Sequence, residues 1–382
     1  MTATRGAPGA GDAPAAGFDY ELPPERIAQH PPAEREAARL MLVSRGSLEP
    51  PADSVVRELP LHLRAGDLLV VNRSRVFPAR LRGHRVPEGG AVELLLVAPT
   101  SAPVARAEEG ERWRVLARPA RRLREGQRIA LSGVRDTSSG GGGSGAIDRA
   151  GETPVEVEVA GRGDGWLEIA LPAGIRAIEL AGRIGETPLP PYIHRPDGPT
   201  AEDASRYQTV FAREPGSIAA PTAGLHLTDS LLARLRERGI TIAEVLLHVG
   251  PATFLAGQPG RDALAVEPER YEVPAAAREA ILRVKASGEG RVIAVGTTTT
   301  RALESAARSG WPEGLAETSL VLGPGRRFEV VDGLLTNFHL PGSSLLALVA
   351  AFAGVETARR AYEAAVARGY RFYSFGDAML VA

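Results

Sequence analysis

Val292-Ile293-Ala294-Val295-Gly296-Thr297-Thr298-Thr299-Thr300-Arg301 is the stretch on which the fold turns. Four apolar, mostly β-branched residues read as a strand, the glycine and threonines as a turn, and Arg301 to Arg308 as the helix that follows. The same alternation repeats on both sides. Ser230 to Arg238 is helical, Thr241 to Leu247 is a buried-strand candidate, and Ala275 to Ser287 is helical. Beyond the stretch, Ser343 to Ala353 and Val355 to Arg368 read as helices before a last short strand around Met379. Strand and helix in alternation imply an α/β domain with a mixed, partly parallel sheet.

Upstream the pattern changes. Leu68 to Val71, Ala79 to Arg82, Ala91 to Ala98, Arg112 to Ala117, Arg128 to Leu131, Pro154 to Val159 and Trp166 to Leu171 are short runs broken by turn signals such as Glu88-Gly89-Gly90. That spacing predicts a small antiparallel β-barrel or sandwich over residues 65–172, with the α/β pattern taking residues 18–64 and 173–382. Ser138-Ser139-Gly140-Gly141-Gly142-Gly143-Ser144-Gly145 reads as a flexible loop within the barrel. Residues 1–17, rich in Gly, Ala and Pro, read as a disordered tail.

Composition narrows the chemistry. The 382 residues include no cysteine, which removes thiolate metal sites and cysteine nucleophiles together. No run approaches the roughly 20 apolar residues of a membrane helix, and a cytoplasmic location is expected. The net charge of −1 is uninformative in total but uneven along the chain. Residues 64–135 hold 15 arginines against 7 acidic side chains, a local balance of +8. Arginine supplies all the basic residues but Lys285, which reads as a solvated lysine rather than a Schiff-base former. The clusters around Arg73, Arg75 and Arg80 and around Arg121, Arg122 and Arg124 are either a solvated face or a footprint for a phosphate backbone.

Four segments stand out. Ala219-Ala220-Pro221-Thr222-Ala223-Gly224-Leu225-His226 lets the backbone approach a ligand closely before a helix; a tight turn with a capping histidine is the plainer reading. Leu246-Leu247-His248-Val249-Gly250 puts a histidine at a strand end, where α/β sheets hold ligands, or in the core. Gly296 to Arg301, followed by Glu304, converges hydroxyls and a guanidinium on a helix start without the G-x-G-x-x-G spacing or a P-loop lysine. Thr336-Asn337-Phe338-His339-Leu340-Pro341 is an unlikely plain core. A metal hydrolase using His226, His248, His339 and Asp377 finds no supporting ligand spacing, and no G-x-S-x-G elbow is present.

In order along the chain, NxxRVxPARL (Asn72 to Leu81), PLPPYIxR (Pro188 to Arg195), DxxRYQTV (Asp203 to Val210), AAPTAGLH (Ala219 to His226), LHVG (Leu247 to Gly250), VGTTxxRxLE (Val295 to Glu304), TNFHLPxSxL (Thr336 to Leu345), AFAG (Ala351 to Gly354) and YRFxSxGDAM (Tyr370 to Met379) closely resemble the S-adenosylmethionine:tRNA ribosyltransferase-isomerases. The pattern is interrupted at Pro251 to Ala256 and at Val266-Glu267-Pro268-Glu269, where the family tends to carry Met-His-x-Glu and only the glutamate remains.

The resemblance implies a barrel inserted into an α/β domain and an enzyme of queuosine biosynthesis. Such an enzyme moves and rearranges the ribosyl part of S-adenosylmethionine onto the aminomethyl group of a 7-deazaguanine at the tRNA wobble position, releasing adenine and methionine. Its partners are tRNA and S-adenosylmethionine, the latter a consumed substrate; no other cofactor, no metal and no membrane are expected, and the chain is expected to be a monomer. Under that reading His226, His248 and His339 are the acid–base and substrate-contacting groups. Asp377 and Glu304 orient them or offset the sulfonium. Arg301 with Thr297 and Thr298 holds the methionine carboxylate by a bidentate pair, and Thr222 and Asn337 complete that site. Arg73, Arg75, Arg80, Arg121, Arg122 and Arg124 are expected to meet tRNA. Non-catalytic RNA binding and conventional methyl transfer are the competing readings.

Overall fold

The structure, a computed structural model, describes residues 20–87, 89–100, 110–132, 154–251 and 267–382. The expected tail and the Gly/Ser-rich loop at 138–145 lie outside the described residues. Nine of the described strands form one sheet, in the spatial order Ala316–Thr318, Glu269–Glu272, Thr241–Leu247, Leu68–Asn72, Val292–Val295, Gly333–Asn337, Ala378–Val381, Arg39–Val43 and Ala52–Val55. The middle four, from Thr241–Leu247 to Gly333–Asn337, run parallel. Antiparallel pairs flank them, so the sheet is mixed, as expected.

Covering by helices on both faces explains the sequence of the central strands. Leu68 and Val70 face one core with Val245, Val292, Ala294 and Leu334, whereas Leu69 and Val71 face another with Ile293, Val295 and Leu335. A strand buried on both sides reads as a continuous apolar run, because neither alternate face meets water.

Six further strands close into an antiparallel barrel, Leu167–Ala170, Arg112–Arg118, Gly90–Pro99, Arg80–Val86, Arg128–Ser132 and Glu156–Arg162, and Ser74–Val76 pairs with Glu214–Ser217 in a separate two-stranded parallel sheet. Val92, Leu94, Leu96, Val115, Ile129, Val157, Val159 and Ile169 fill its interior.

Two limits of the expected barrel shift. Leu68–Asn72 pairs with Thr241–Leu247 and Val292–Val295 in the large sheet, not in the barrel. Its apolar run belongs to an interior parallel strand, which looks the same in sequence as a short barrel strand. At the other end, the helix Ala177–Ile184 buries Ala177, Leu180 and Ala181 in the barrel core. The buried Glu111 ties it there, accepting from the Ala177 amide at 3.0 Å and from Trp113 Nε1 at 2.8 Å.

Candidate active site

The carboxyl ends of the four parallel strands bring together Asn72, Leu247-His248, Val295-Gly296 and Asn337. Sheets of this kind place ligands there, where the helices that follow turn away. Asn72 stitches the crest. Its amide donates to the Leu247 carbonyl at 2.9 Å, and its oxygen accepts from the amides of Leu247 and Ser74.

Gly296 opens the next helix with φ of 90°, a left-handed conformation that favours glycine. A Cβ built on it would sit 3.6 Å from the Ala223 Cβ, so the turn Thr222–His226 lies directly over the helix start. The helix begins at Thr297, a full turn earlier than the sequence suggests. The expected convergence of four hydroxyls is accordingly reduced. Thr299 and Thr300 return their hydroxyls to the Val295 and Gly296 carbonyls, a habit of threonine inside helices. Thr297 and Thr298 remain at the crest, the Thr298 hydroxyl 3.5 Å from the Asn72 amide.

His226 ends the Thr222–His226 turn and is almost fully buried. Its Nε2 lies 3.0 Å from Asn337 Oδ1. The Asn337 nitrogen must face the carbonyls of Tyr373 and Ser374, at 2.8 and 3.3 Å, since only a donor is tolerated there. The oxygen therefore faces His226, whose Nε2 carries the hydrogen and whose lone pair is left on Nδ1. Burial lowers the imidazole pKa to about 4, against a smaller upward pull from Asn337 and Asp377. At neutral pH the ring is an uncharged base.

His248 follows its strand and packs flat against the backbone of Gly216. A Cβ there would lie 2.6 Å from the ring. Its Nδ1 is buried without a partner. Burial, with Arg270 and Arg73 nearby, brings its pKa down to about 4.

The three histidines do not form one constellation. Thr336 and Asn337 are neighbours in one strand, so their side chains point to opposite faces of the sheet. Asn337 meets His226, whereas Thr336 meets His339, its hydroxyl 2.9 Å from the ring Nε2. His339 lies among Tyr20 and Tyr362, with its amide accepted by the Tyr362 hydroxyl and burial taking its pKa to about 4. These contacts fit a satisfied core histidine.

Other expected site residues are also committed. Arg301 is buried one turn into its helix, with Nη1 on the Glu269 carboxylate and Nε on the Leu320 carbonyl at 3.0 Å. A bidentate grip at a helix start is therefore not what the geometry offers. Only its Nη2 is buried without a partner. Glu269, the glutamate kept from the interrupted motif, also accepts from the Gly250 amide at 2.7 Å. Glu304 accepts from the amides of Glu329, Val330 and Val331 and faces Arg308. Asp377 accepts from the amides of Arg39 and Arg371. Both carboxylates brace loops. Lys285 is not simply solvated, its Nζ lying 2.8 Å from Asp332. Among the described residues no three His, Asp or Glu side chains are placed to hold a metal ion. The gathering of His226, His248, His339 and Asp377 that a metal hydrolase needs does not form.

The segment Pro188 to Arg195 yielded no candidate residue in the sequence, yet it reaches the crest. Tyr192 packs on Tyr373 with ring centroids 4.1 Å apart and bonds the Ser374 hydroxyl at 2.7 Å. Tyr373 itself adopts φ of 72°, a strained conformation for a tyrosine. The signal available in the sequence is Tyr192 as a specified position of PLPPYIxR, since Tyr373 falls at an unspecified position of YRFxSxGDAM.

The expected tRNA arginines divide in two. Arg73 pairs with Glu272 at 3.1 Å, and Arg80 with Glu93 at 3.6 Å. Arg75, Arg121, Arg122 and Arg124 are exposed, with no carboxylate partner among the described residues.

A parallel-strand crest bearing buried neutral imidazoles, joined to a six-stranded barrel with an exposed arginine cluster, defines an enzyme of the α/β class with an inserted barrel. The chain belongs to the queuosine biosynthesis protein family, whose profile matches residues 15–381. It is 46% identical over 368 residues to the S-adenosylmethionine:tRNA ribosyltransferase-isomerase of Anaeromyxobacter sp. (strain K), covering 95% of this chain and 98% of that one. The enzyme of the same name from Methylobacterium sp. (strain 4-46) is 47% identical over 373 residues, covering 95% and 97%. Among solved structures, the S-adenosylmethionine tRNA ribosyltransferase of Thermotoga maritima is similar at a TM-score of 0.51 and 34% identity, over 96% of this chain and all of that one.

No helix among the described residues is long and apolar enough to cross a membrane.

Proposed function

We propose that this chain transfers and isomerises the ribosyl part of S-adenosylmethionine onto the aminomethyl group of a 7-deazaguanine at the tRNA wobble position. Relatives bearing the ribosyltransferase-isomerase name match it over 95% of its length. The observation that carries the chemistry is the neutral, oriented imidazole of His226 at the sheet crest. The reaction needs a base for the carbon next to the sulfonium, release of adenine and of methionine as a thioether, and a neutral amine to form the new bond. It proceeds without net oxidation and uses S-adenosylmethionine as a consumed substrate.

In this scheme His226 Nδ1 takes the proton. A pKa near 4 makes it a weaker base than an ordinary histidine but leaves it fully unprotonated at pH 7. His248, with its unpartnered Nδ1, contacts the departing adenine or the ribose. The free Nη2 of Arg301, with Thr297, Thr298 and Thr222, meets the methionine carboxylate, while Glu269 holds the rest of the guanidinium still. Asn337 orients His226 and does not itself touch substrate.

No metal enters the scheme, and the enzyme acts as a cytoplasmic monomer where its two substrates are found. Product analysis tests the activity. Free adenine and methionine, formed only when tRNA bearing the aminomethyl base is present, support it; S-adenosylhomocysteine or an absence of turnover refutes it. Sedimentation at the mass of one chain tests the monomer.

A further inference from the structure

A cleft of about 590 Å³ separates the barrel from the loop that carries Pro190 to Pro199. It lies within the roughly 300–1,000 Å³ range of sites that take a small ligand. Four guanidinium groups border it, those of Arg80, Arg82, Arg118 and Arg195, against the single carboxylate of Glu93. Arg82 is braced by Glu186 at 2.8 Å and Arg195 by Asp203 at 2.8 Å. Arg118 is exposed and has no such partner among the described residues. Pro190 and Pro191, on the same loop as Arg195, supply a rigid apolar wall.

The loop forming that wall has its other side at the crest. Leu189 and Ile193 are buried with Leu225 and Phe375, and Tyr192 packs on Tyr373. From Arg118 the chain passes directly into the exposed Arg121, Arg122 and Arg124, so the cleft opens onto the free basic rim.

We propose that this cleft is a second nucleotide subsite, taking one unpaired nucleotide that neighbours the reacting base in the RNA. Its phosphate sits on Arg118, and its base lies against Pro190 and Pro191. The inference rests on the tRNA reading above and adds where the adjoining strand goes. A concavity of this size admits a single splayed nucleotide and excludes a duplex, and unpaired loops are where proteins read RNA by base. Arg82 and Arg195, held by their carboxylates, fix the shape of the cleft, and Arg118 keeps its charge free for the phosphate.

The test measures binding of an RNA hairpin carrying the aminomethyl base in its loop, across a salt series, with S-adenosylmethionine binding measured in parallel. Arg118→Ala should weaken hairpin binding about tenfold and lower the salt slope by about one unit, with Arg118→Lys recovering most of the loss. Ala120→Trp, which fills the cleft without changing charge, should also weaken the hairpin. Neither variant should alter affinity for S-adenosylmethionine or for a fully paired duplex. Parent-like hairpin binding by both Arg118→Ala and Ala120→Trp overturns the subsite. So does a loss confined to S-adenosylmethionine, which would give the cleft to that substrate, or an equal loss on the duplex, which would make it a plain backbone contact. Failure of the parent protein to release adenine with this RNA would instead count against the proposed function.

Discussion

Asn337 holds the His226 ring at 3.0 Å through its oxygen while its nitrogen grips the Tyr373 carbonyl at 2.8 Å. One amide thus couples the His226 imidazole to the strained loop beside it, and its two ends cannot be exchanged without setting its oxygen against the Tyr373 carbonyl, acceptor to acceptor. The tautomer of His226 follows from that constraint, because Nε2 must donate.

Replacing Asn337 by Asp keeps an acceptor for His226 but removes the donor to Tyr373, and a carboxylate beside an imidazole favours the charged ring. The acid limb of the turnover profile, expected near pH 4 in the parent, should move up by at least one pH unit. An unmoved limb would take His226 out of the proton transfer. Asn337→Ala should lower turnover by about 10²-fold with little change in binding of S-adenosylmethionine.

Arg301 and Glu269 form a buried pair, and removing one partner strands the other charge. Glu269→Gln is expected to cost about 3–5 kcal/mol in denaturant unfolding. Arg301→Lys keeps the charge but cannot serve Glu269, the Leu320 carbonyl and a substrate at once. It should raise the S-adenosylmethionine dissociation constant ten- to a hundredfold, the scale of a missing charged hydrogen bond of about 1.5–3 kcal/mol. Parent-like binding in calorimetry would remove Arg301 from the carboxylate site.

His226 and His339 are neutral in the fold down to about pH 4, whereas an exposed histidine takes its proton near 6.5. Between those values the unfolded chain binds more protons, so stability should fall as the pH drops from about 6.5 to 4 and stay level above 7. The loss is roughly 1 kcal/mol per pH unit for each ring. Unfolding midpoints measured across that window in His339→Asn should show a shallower slope than the parent; equal slopes would mean that His339 is not buried as a neutral ring.

Reversing Arg121, Arg122 and Arg124 to glutamate should weaken tRNA binding and flatten its salt dependence, by about one unit of slope for each phosphate left without its arginine. S-adenosylmethionine binding should be unchanged, since its proposed site lies on the other domain. A preserved slope would move the footprint to Arg75 or to the α/β domain.

Much of this architecture is legible in the chain, and the exceptions have physical causes. Val292–Val295 and Thr241–Leu247 are recognisable because each is a short apolar run followed or preceded by a helix. Leu68–Asn72 is not assignable by pattern alone, since a strand buried on two faces loses the alternation that tells barrel from sheet. The histidines are visible as residues, but that Thr336 and Asn337 send His339 and His226 to opposite faces depends on strand register. The partners of Arg301, Glu304 and Asp377 are equally hidden. Glu269 is 32 residues from Arg301, and, apart from the i,i+4 pair of Glu304 with Arg308, the groups that donate to Glu304 and Asp377 are backbone amides that no side-chain pattern announces.

In the proposed reaction, ribose carbon leaves S-adenosylmethionine and becomes part of the RNA base. That transfer is tested most directly by incubating the protein with tRNA carrying the aminomethyl deazaguanine and S-adenosylmethionine labelled with ¹³C in the ribose, then digesting the RNA to nucleosides for mass spectrometry. All five labelled carbons should appear on the modified nucleoside, with unlabelled adenine and methionine released in equal amount. Label retained in the small molecules, or a nucleoside gaining only an unlabelled methyl group, would contradict ribosyl transfer.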